Sequence, residues 1–246
     1  MSTTIKIAAV GDIHVRHSDK GKWTNCFSQA SEQADILVIC GDLTDTGDED
    51  EAKVLVEELK VCKIPVITVL GNHDYEKGKH KAIRQIMLDA GIYVLDGEAI
   101  MVKGVGFAGV KGFGGGFDKY MLSMFGEDAM KAFVQEAVDE VLKLDRALTA
   151  LDKDHESIPK IAIMHYAPIK ETITGEPEVI YPFLGSSRLA EPLVRRQVTA
   201  AFHGHAHAGL LEGKVGDNIS VFNVALPILH KEGYDCGFYI YEVQLP

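Results

Sequence analysis

Asp12, His14, Asp42, Asn72, His73, His165, His205 and His207 are the residues through which this chain could do chemistry, and they fall in five short polar clusters. Carboxylates and an amide oxygen are hard metal ligands, imidazole is intermediate, and no cysteine joins the set; manganese, iron or zinc suits it. A structural zinc site would prefer four soft or intermediate ligands in a closed tetrahedron. The seven candidates Asp12, His14, Asp42, Asn72, His165, His205 and His207 exceed the needs of one ion, so two ions fit better. With Asp12 and Asp42 as the only anionic ligands, two divalent cations would leave the cluster at about +2, a charge that attracts phosphate. Asp12 and His14, like His205 and His207, are alternate residues, and alternate residues of an extended segment point the same way. Gly204 leaves room for a sharp turn before the second pair.

Groups so far apart in sequence can meet only if a common framework delivers them. Ile5 to Val10 lead into Gly11-Asp12-Ile13-His14, Ile36 to Cys40 into Gly41-Asp42, and Val66 to Leu70 into Gly71-Asn72-His73-Asp74. Ile161 to Met164 lead likewise to His165, and Val198 to Phe202 to His203-Gly204-His205-Ala206-His207. Each apolar run reads as a strand that delivers its polar group to one sheet edge.

Helical spacing fills the gaps: Trp23, Phe27, Ala30 and Ala34, then Val54, Leu55 and Leu59, then Ile83, Ile86 and Met87 ahead of a further run from Ile92 to Leu95. This alternation predicts an α/β protein in a single domain over residues 1–246. Met130, Phe133, Val134, Ala137, Val138, Val141, Leu148 and Leu151 mark a long amphipathic helix, with Glu127 and Asp128 suited to its positive N-terminal end. Core packing is the simpler reading of that stripe; a lid or oligomer contact would need part of it uncovered. Ile219 to Leu226 and Phe238 to Val243 read as strands of a second sheet.

Some features carry no chemistry of their own. Gly104, Gly106 and Gly109 spell GxGxxG, but Gly112-Phe113-Gly114-Gly115-Gly116 follows and cannot open the helix that a dinucleotide site requires, so that stretch, residues 104–116, reads as a loop or a flexible wall beside substrate. Residues 168–187 form a long loop of the kind that often serves function, and Arg188, Arg195 and Arg196 after it read as a solvated helix face. His17, His80, His155 and His230, taken singly, read as core or surface residues. Among 246 residues, 46% hydrophobic and 25% charged, the formal charge of −11 argues against a broad nucleic-acid footprint, which needs clustered Lys and Arg. Cys26, Cys40, Cys62 and Cys236 form no Cys-x-x-Cys pair, the N-terminal apolar stretch is too short for a signal-peptide core, and no run approaches a membrane span; a cytoplasmic protein is expected.

From Asp12 to His207 the five ordered blocks resemble the calcineurin-like metallophosphoesterases, and the Asn-His-Asp and Gly-His-Ala-His forms are most similar to the bacterial phosphodiesterase branch, which includes cyclic nucleotide phosphodiesterases. The resemblance implies a four-layer α-β-β-α sandwich of two mixed sheets with a dinuclear metal site at the C-terminal edge of the strands. It also implies that Asp12, His14, Asp42 and His207 hold one ion and Asp42, Asn72, His165 and His205 the other, with Asp42 shared. His73 would stand beside the leaving group, and the Asp45 carboxylate would orient it; taken from the residues alone, the alternative for Asp45 is a turn or cap residue before Thr46-Gly47-Asp48. Thr46 stands where the phosphoprotein phosphatase branch carries an arginine, which argues against protein dephosphorylation. The function expected is hydrolysis of a small phosphodiester or phosphomonoester by metal-activated water. A nuclease and a non-catalytic binding scaffold are the competing readings, the first opposed by the acidic balance and the second by the intact motif positions. The substrate-binding residues and the oligomeric state are not defined by these motifs.

Overall fold

The computed structural model describes residues 3–154, 157–216, 218–234 and 236–246; His155 lies outside them. In the first sheet β1 (Thr4–Val10), β2 (Ile36–Cys40), β3 (Val66–Val69) and β4 (Tyr93–Val94) run parallel in that order, and β11 (Tyr239–Gln244) closes the outer edge of β1 in antiparallel register. The second sheet is built from β5 (Glu98–Val102), β6 (Val105–Val110), β7 (Lys160–Met164), β8 (Ala200–His203), β9 (Glu212–Val215) and β10 (Ile219–Asn223), in the order β5-β6-β7-β8-β10-β9. Its four inner strands are parallel and its two edge strands antiparallel, so both sheets are mixed.

The period-two alternation of the strands builds the layers. In β7, Ile161 and Ile163 join the core shared with the first sheet, whereas Ala162 and Met164 face a second core. Ala200 and Phe202 against Ala201 in β8, and Phe222 against Val221 in β10, divide in the same way. The first sheet carries α1 (Thr24–Gln33), α2 (Glu49–Leu59) and α3 (His80–Asp89), which insert Phe27, Ala30, Leu55, Ile83 and Met87 into the larger core. The far side of the second sheet is covered by α4 (Asp128–Asp154), which buries Leu144, Ala147, Leu148 and Leu151. Helix, sheet, sheet and helix form the four layers expected. The α4 stripe is largely covered, so its core role explains it. The long loop after β7 folds into short turns, with α5 (Tyr181–Leu184) at its far end, and α6 (Ala190–Arg195) follows.

Three expectations need correction. Only Ile219–Asn223 of the last two predicted strands joins the second sheet; Tyr239–Gln244 pairs with β1 instead, because the Ile5↔Val243 register buries Val243 in the first sheet's core. Leu226 is helical rather than extended and opens α7 (Leu226–Lys231), where Pro227 fits the first turn because no backbone N–H is needed there. The glycine-rich stretch is not one loop, because most of its first half is a strand. Lys103 and Gly104, with φ of 50° and 83°, form a two-residue turn between β5 and β6, and Gly106 and Gly109 lie inside the buried β6.

Phe202 joins the two sheets: it is fully buried, stacks on Phe222 at 5.5 Å between ring centroids and meets Tyr241 of β11 edge-on at 5.7 Å. Phe202→Ala is expected to cost about 3–5 kcal/mol in urea denaturation, with the m-value unchanged. A loss below about 1 kcal/mol would show that the sheets do not depend on this contact.

Candidate active site

Each strand end turns sharply to present its polar residues. Asp12, His14, Asp42 and His205 have φ of 57°, 42°, 48° and 69°, the left-handed region that side-chain-bearing residues seldom occupy. Such a backbone costs on the order of 1–3 kcal/mol per residue and persists only where the surroundings enforce it. They do so here. Asp12 N–H donates to Gly41 O at 3.1 Å, His14 N–H to Asp42 O at 3.0 Å and Val15 N–H to Leu43 O at 3.0 Å, which fastens the loop after β1 to the loop after β2. Gly11 N–H donates to Val224 O at 2.7 Å, tying the same loop to the second sheet.

Asp74 is the buckle that sequence reasoning passed over. Its buried carboxylate accepts the N–H groups of Gly71 (2.8 Å), Leu43 (3.2 Å) and Thr44 (2.9 Å) and the Thr44 hydroxyl (2.6 Å), joining the loops after β2 and β3. The available signal was its place directly after Asn72-His73. Two glycines allow backbone to approach the carboxylates: a Cβ on Gly71 would lie 2.1 Å from Asp42 Oδ1, and one on Gly204 would lie 2.2 Å from Asp12 Oδ2.

All seven candidate ligands converge. Ligand atoms of Asp12, His14 and His207 lie within 4.8 Å of one another, and so do those of Asp42, His165 and His205. Asn72 joins the second group through Oδ1, 2.8 Å from His165 Nε2. Asp42 stands between the groups, with Oδ1 3.4 Å from His165 Nε2 and Oδ2 3.7 Å from His14 Nε2. A third group, His14, Asp45 and His73, adjoins them.

The donors suit a cation. Asp12, Asp42 and Asp74 are buried, and none is paired with a lysine or arginine among the described residues. Burial, then the charges of Asp12 and Asp74, drive the Asp42 carboxyl well above the usual carboxylate range despite the N–H of His73 at 2.9 Å. Burial would also raise Asp12, but a hydrogen bond from His207 Nε2 at 3.0 Å and the backbone N–H of His205 outweigh it and hold Asp12 at about 2. Both ring nitrogens of His14 are buried without a hydrogen-bond partner among the described residues. His165 donates Nδ1–H to Cys40 O at 2.9 Å, which leaves an Nε2 lone pair facing Asn72 Oδ1, and burial lowers its pKa to about 3. Two lone-pair atoms turned toward each other, a partnerless imidazole and an uncompensated carboxylate are what a divalent cation would satisfy. His205 Nε2 donates to Phe183 O at 3.1 Å, leaving Nδ1 as its lone-pair nitrogen.

His73 Nδ1–H donates to a carbonyl oxygen 2.6 Å away, and that carbonyl belongs to Asp45. The carboxylate expected to orient His73 is therefore replaced by the backbone of the same residue. The Asp45 side chain instead takes a bidentate contact from Arg16, at 2.9 and 3.3 Å, and stands 3.8 Å from His14 Nδ1. The N-cap of α2 is Asp48, in a capping box with Glu51, so Asp45 is not a cap either. Arg195 and Arg196 pair with Asp145 of α4, and Arg188 reaches Leu122 O. His203, fully buried, donates Nδ1–H to Gly204 O at 2.7 Å and pairs through Nε2 with the Thr172 hydroxyl at 2.7 Å.

A family model described as calcineurin-like phosphoesterase matches residues 5–209. A "Probable cyclic nucleotide phosphodiesterase" of Coxiella burnetii is 34% identical over 79 residues, 28% of this chain and 32% of that protein. One of Fibrobacter succinogenes is 30% identical over 79 residues, 28% of this chain and 31% of that one. The matched segments thus span about a third of the length of these curated relatives. Among solved structures, a phosphopantetheinyl hydrolase of Mycobacterium tuberculosis superposes with a TM-score of 0.68 at 13% identity, covering 96% of this chain and 95% of that one, a likeness of fold. No helix among the described residues is long and apolar enough to cross a membrane.

Burial lowers the pKa of His203 to about 4 and that of His165 to about 3, below the ordinary 6.5. The unfolded chain therefore binds protons that the folded chain refuses as pH falls below 6.5, and each histidine removes up to about 1.4 kcal/mol of stability per pH unit on the way down to its folded pKa. His203→Gln is expected to flatten the fall in urea-unfolding free energy of chelator-treated protein between pH 6.5 and 4. An unchanged slope would contradict a neutral His203.

Proposed function

The chain belongs to the calcineurin-like phosphoesterases, and from that premise we propose that it hydrolyses a small phosphodiester or phosphomonoester at a centre of two divalent cations. The family makes it a metal-dependent phosphoric ester hydrolase; the cation number, the residue roles and the substrate are our reading. One observation carries it: the two oxygens of Asp42 face imidazole nitrogens of two separate ligand groups. Asp12, His14, Asp42 and His207 would hold one ion and Asp42, Asn72, His165 and His205 the other. When bound, such a pair lowers the pKa of water into the neutral range and neutralises charge on the phosphoryl oxygens.

The chain's own residues supply the rest. The hydrogen bond from Nδ1–H to Asp45 O fixes the His73 ring, so that Nε2 of the protonated imidazole can donate to the departing alkoxide. Arg16 holds the Asp45 segment by its carboxylate, which keeps that carbonyl in place. Asp74 joins the loops that bear Asp42 and His73 and so sets the distance between them.

The names of the two curated relatives support a cyclic nucleotide as one candidate substrate. The formal charge of −11 argues against an extended nucleic acid. Manganese, iron or zinc as the metals and a cytoplasmic location belong to the same proposal, which rests on the ligand chemistry and on four free cysteines. A binding scaffold would have no reason to keep His73 and every ligand.

Manganese-loaded protein is expected to hydrolyse members of a panel of cyclic nucleotides, nucleotide monophosphates, glycerophosphodiesters and chromogenic esters. His73→Ala should lower kcat by about 10²–10⁴-fold with metal content unchanged, most for poor leaving groups. Asp42→Ala should lose both metal, by elemental analysis, and turnover; activity that survives in metal-stripped Asp42→Ala would refute the assignment.

A further inference from the structure

The geometry points to Phe183 as the residue that selects the organic part of the substrate: its ring is a stacking surface for a planar aromatic group on a phosphoester held at the metal cluster. This rests on the phosphoester reading above and adds the substrate class to it. Phe183 lies in α5, within the long loop after β7, and is 60% exposed. Its backbone nevertheless meets the cluster directly, since Phe183 O accepts the Nε2–H of His205 at 3.1 Å.

Three consecutive carbonyls fix this residue in place. Pro182 O accepts from Gly115 N–H at 2.7 Å, Phe183 O from His205, and Leu184 O from Ala167 N–H at 3.0 Å. The glycine-rich stretch, a candidate ligand and the segment after His165 thus all grip one turn of α5. Glycines make room for it: a Cβ on Gly114 would lie 2.5 Å from Pro182 O, and one on Gly185 2.0 Å from Ala167 O. Side chains close the same circuit. From His205 the contacts run to Tyr166 at 4.4 Å between ring centroids, then to Phe113 at 5.7 Å, to Phe133 of α4 at 4.8 Å and to Phe183 at 6.2 Å, edge-on with planes 84° apart. The aromatic wall begins and ends at one candidate ligand.

Core packing does not account for a ring that is held this firmly and still exposed. A planar group laid against it removes apolar surface of both partners from water and gains the offset or edge-on contacts that aromatic pairs favour. Because the wall is already rigid, little ordering has to be supplied on binding. Tyr166, Phe113, Phe133 and Phe183 carry no formal charge, so the wall discriminates by shape and ring character, while the phosphoryl group is left to the cations. A flexible polyol such as glycerol offers no face to stack and gains nothing from Phe183.

Isothermal titration of manganese-loaded His73→Ala protein, in which turnover is suppressed, tests this with phenyl phosphate, adenosine 5′-monophosphate and glycerol 3-phosphate. All three carry the same phosphate monoester, and only the first two carry a ring. Both are expected to bind about tenfold or more tightly than glycerol 3-phosphate. Adding Phe183→Ala should bring those ratios to about one, and adding Phe183→Tyr should keep them. Both substitutions spare the Phe183 carbonyl, and a ratio of affinities cancels any change in metal occupancy. Equal affinities with Phe183 present, a preference that survives Phe183→Ala, or one lost in Phe183→Tyr overturns the proposal. Failure to hydrolyse any ester of the panel would refute the hydrolase reading while these binding ratios stay measurable; hydrolysis without a ring preference refutes only this subsite.

Discussion

Two buried carboxylates with no ammonium or guanidinium beside them among the described residues dictate the arrangement around them. Asp12 and Asp42 lie at the seam between the sheets, with Asp74 as a third buried acid behind them. Burying charge is expensive unless it is compensated, and the compensation available to Asp74, four hydrogen bonds, is not available to Asp42. Histidines that burial keeps neutral turn lone pairs to the same place. The cluster therefore offers carboxylate, amide and imidazole atoms that divalent cations would satisfy.

Holding such a cluster together requires a stiff frame. Asp12, His14, Asp42 and Asn72 come from the first sheet, and His165, His205 and His207 from the second, so the docking of the sheets is also the assembly of the site. The inward faces of β7, β8 and β10, with Phe202 against Phe222 and Tyr241, fix that docking. Left-handed backbone at four candidate ligands is tolerated because each loop is hydrogen-bonded to the next. The strain lies where rigid direction of side chains matters most.

Much of this was legible in the chain itself. The five parallel strands that end in polar clusters are visible because buried parallel strands are continuous apolar runs, and their ends are marked by glycine and ligands. β5, β9 and the hairpin leading into β6 were not visible, since edge strands are short and half exposed and the glycines of β6 imitate a loop. The last strand could be recognised as a strand but not placed, because its apolar alternation suits either sheet and only register against β1 decides.

Residue types and their order determined the candidate ligand set, the α/β class and the kind of metal chemistry open to the protein, since those follow from donor atoms and from periodicity. Tertiary structure alone decided that Asp42 faces both ligand groups, that Asp74 joins the loops, that the carbonyl of Asp45 rather than its carboxylate meets His73, and that Phe183 of the long loop meets His205. Those are distances between segments far apart in sequence. They are set by packing and backbone hydrogen bonds, which no local pattern of side chains encodes.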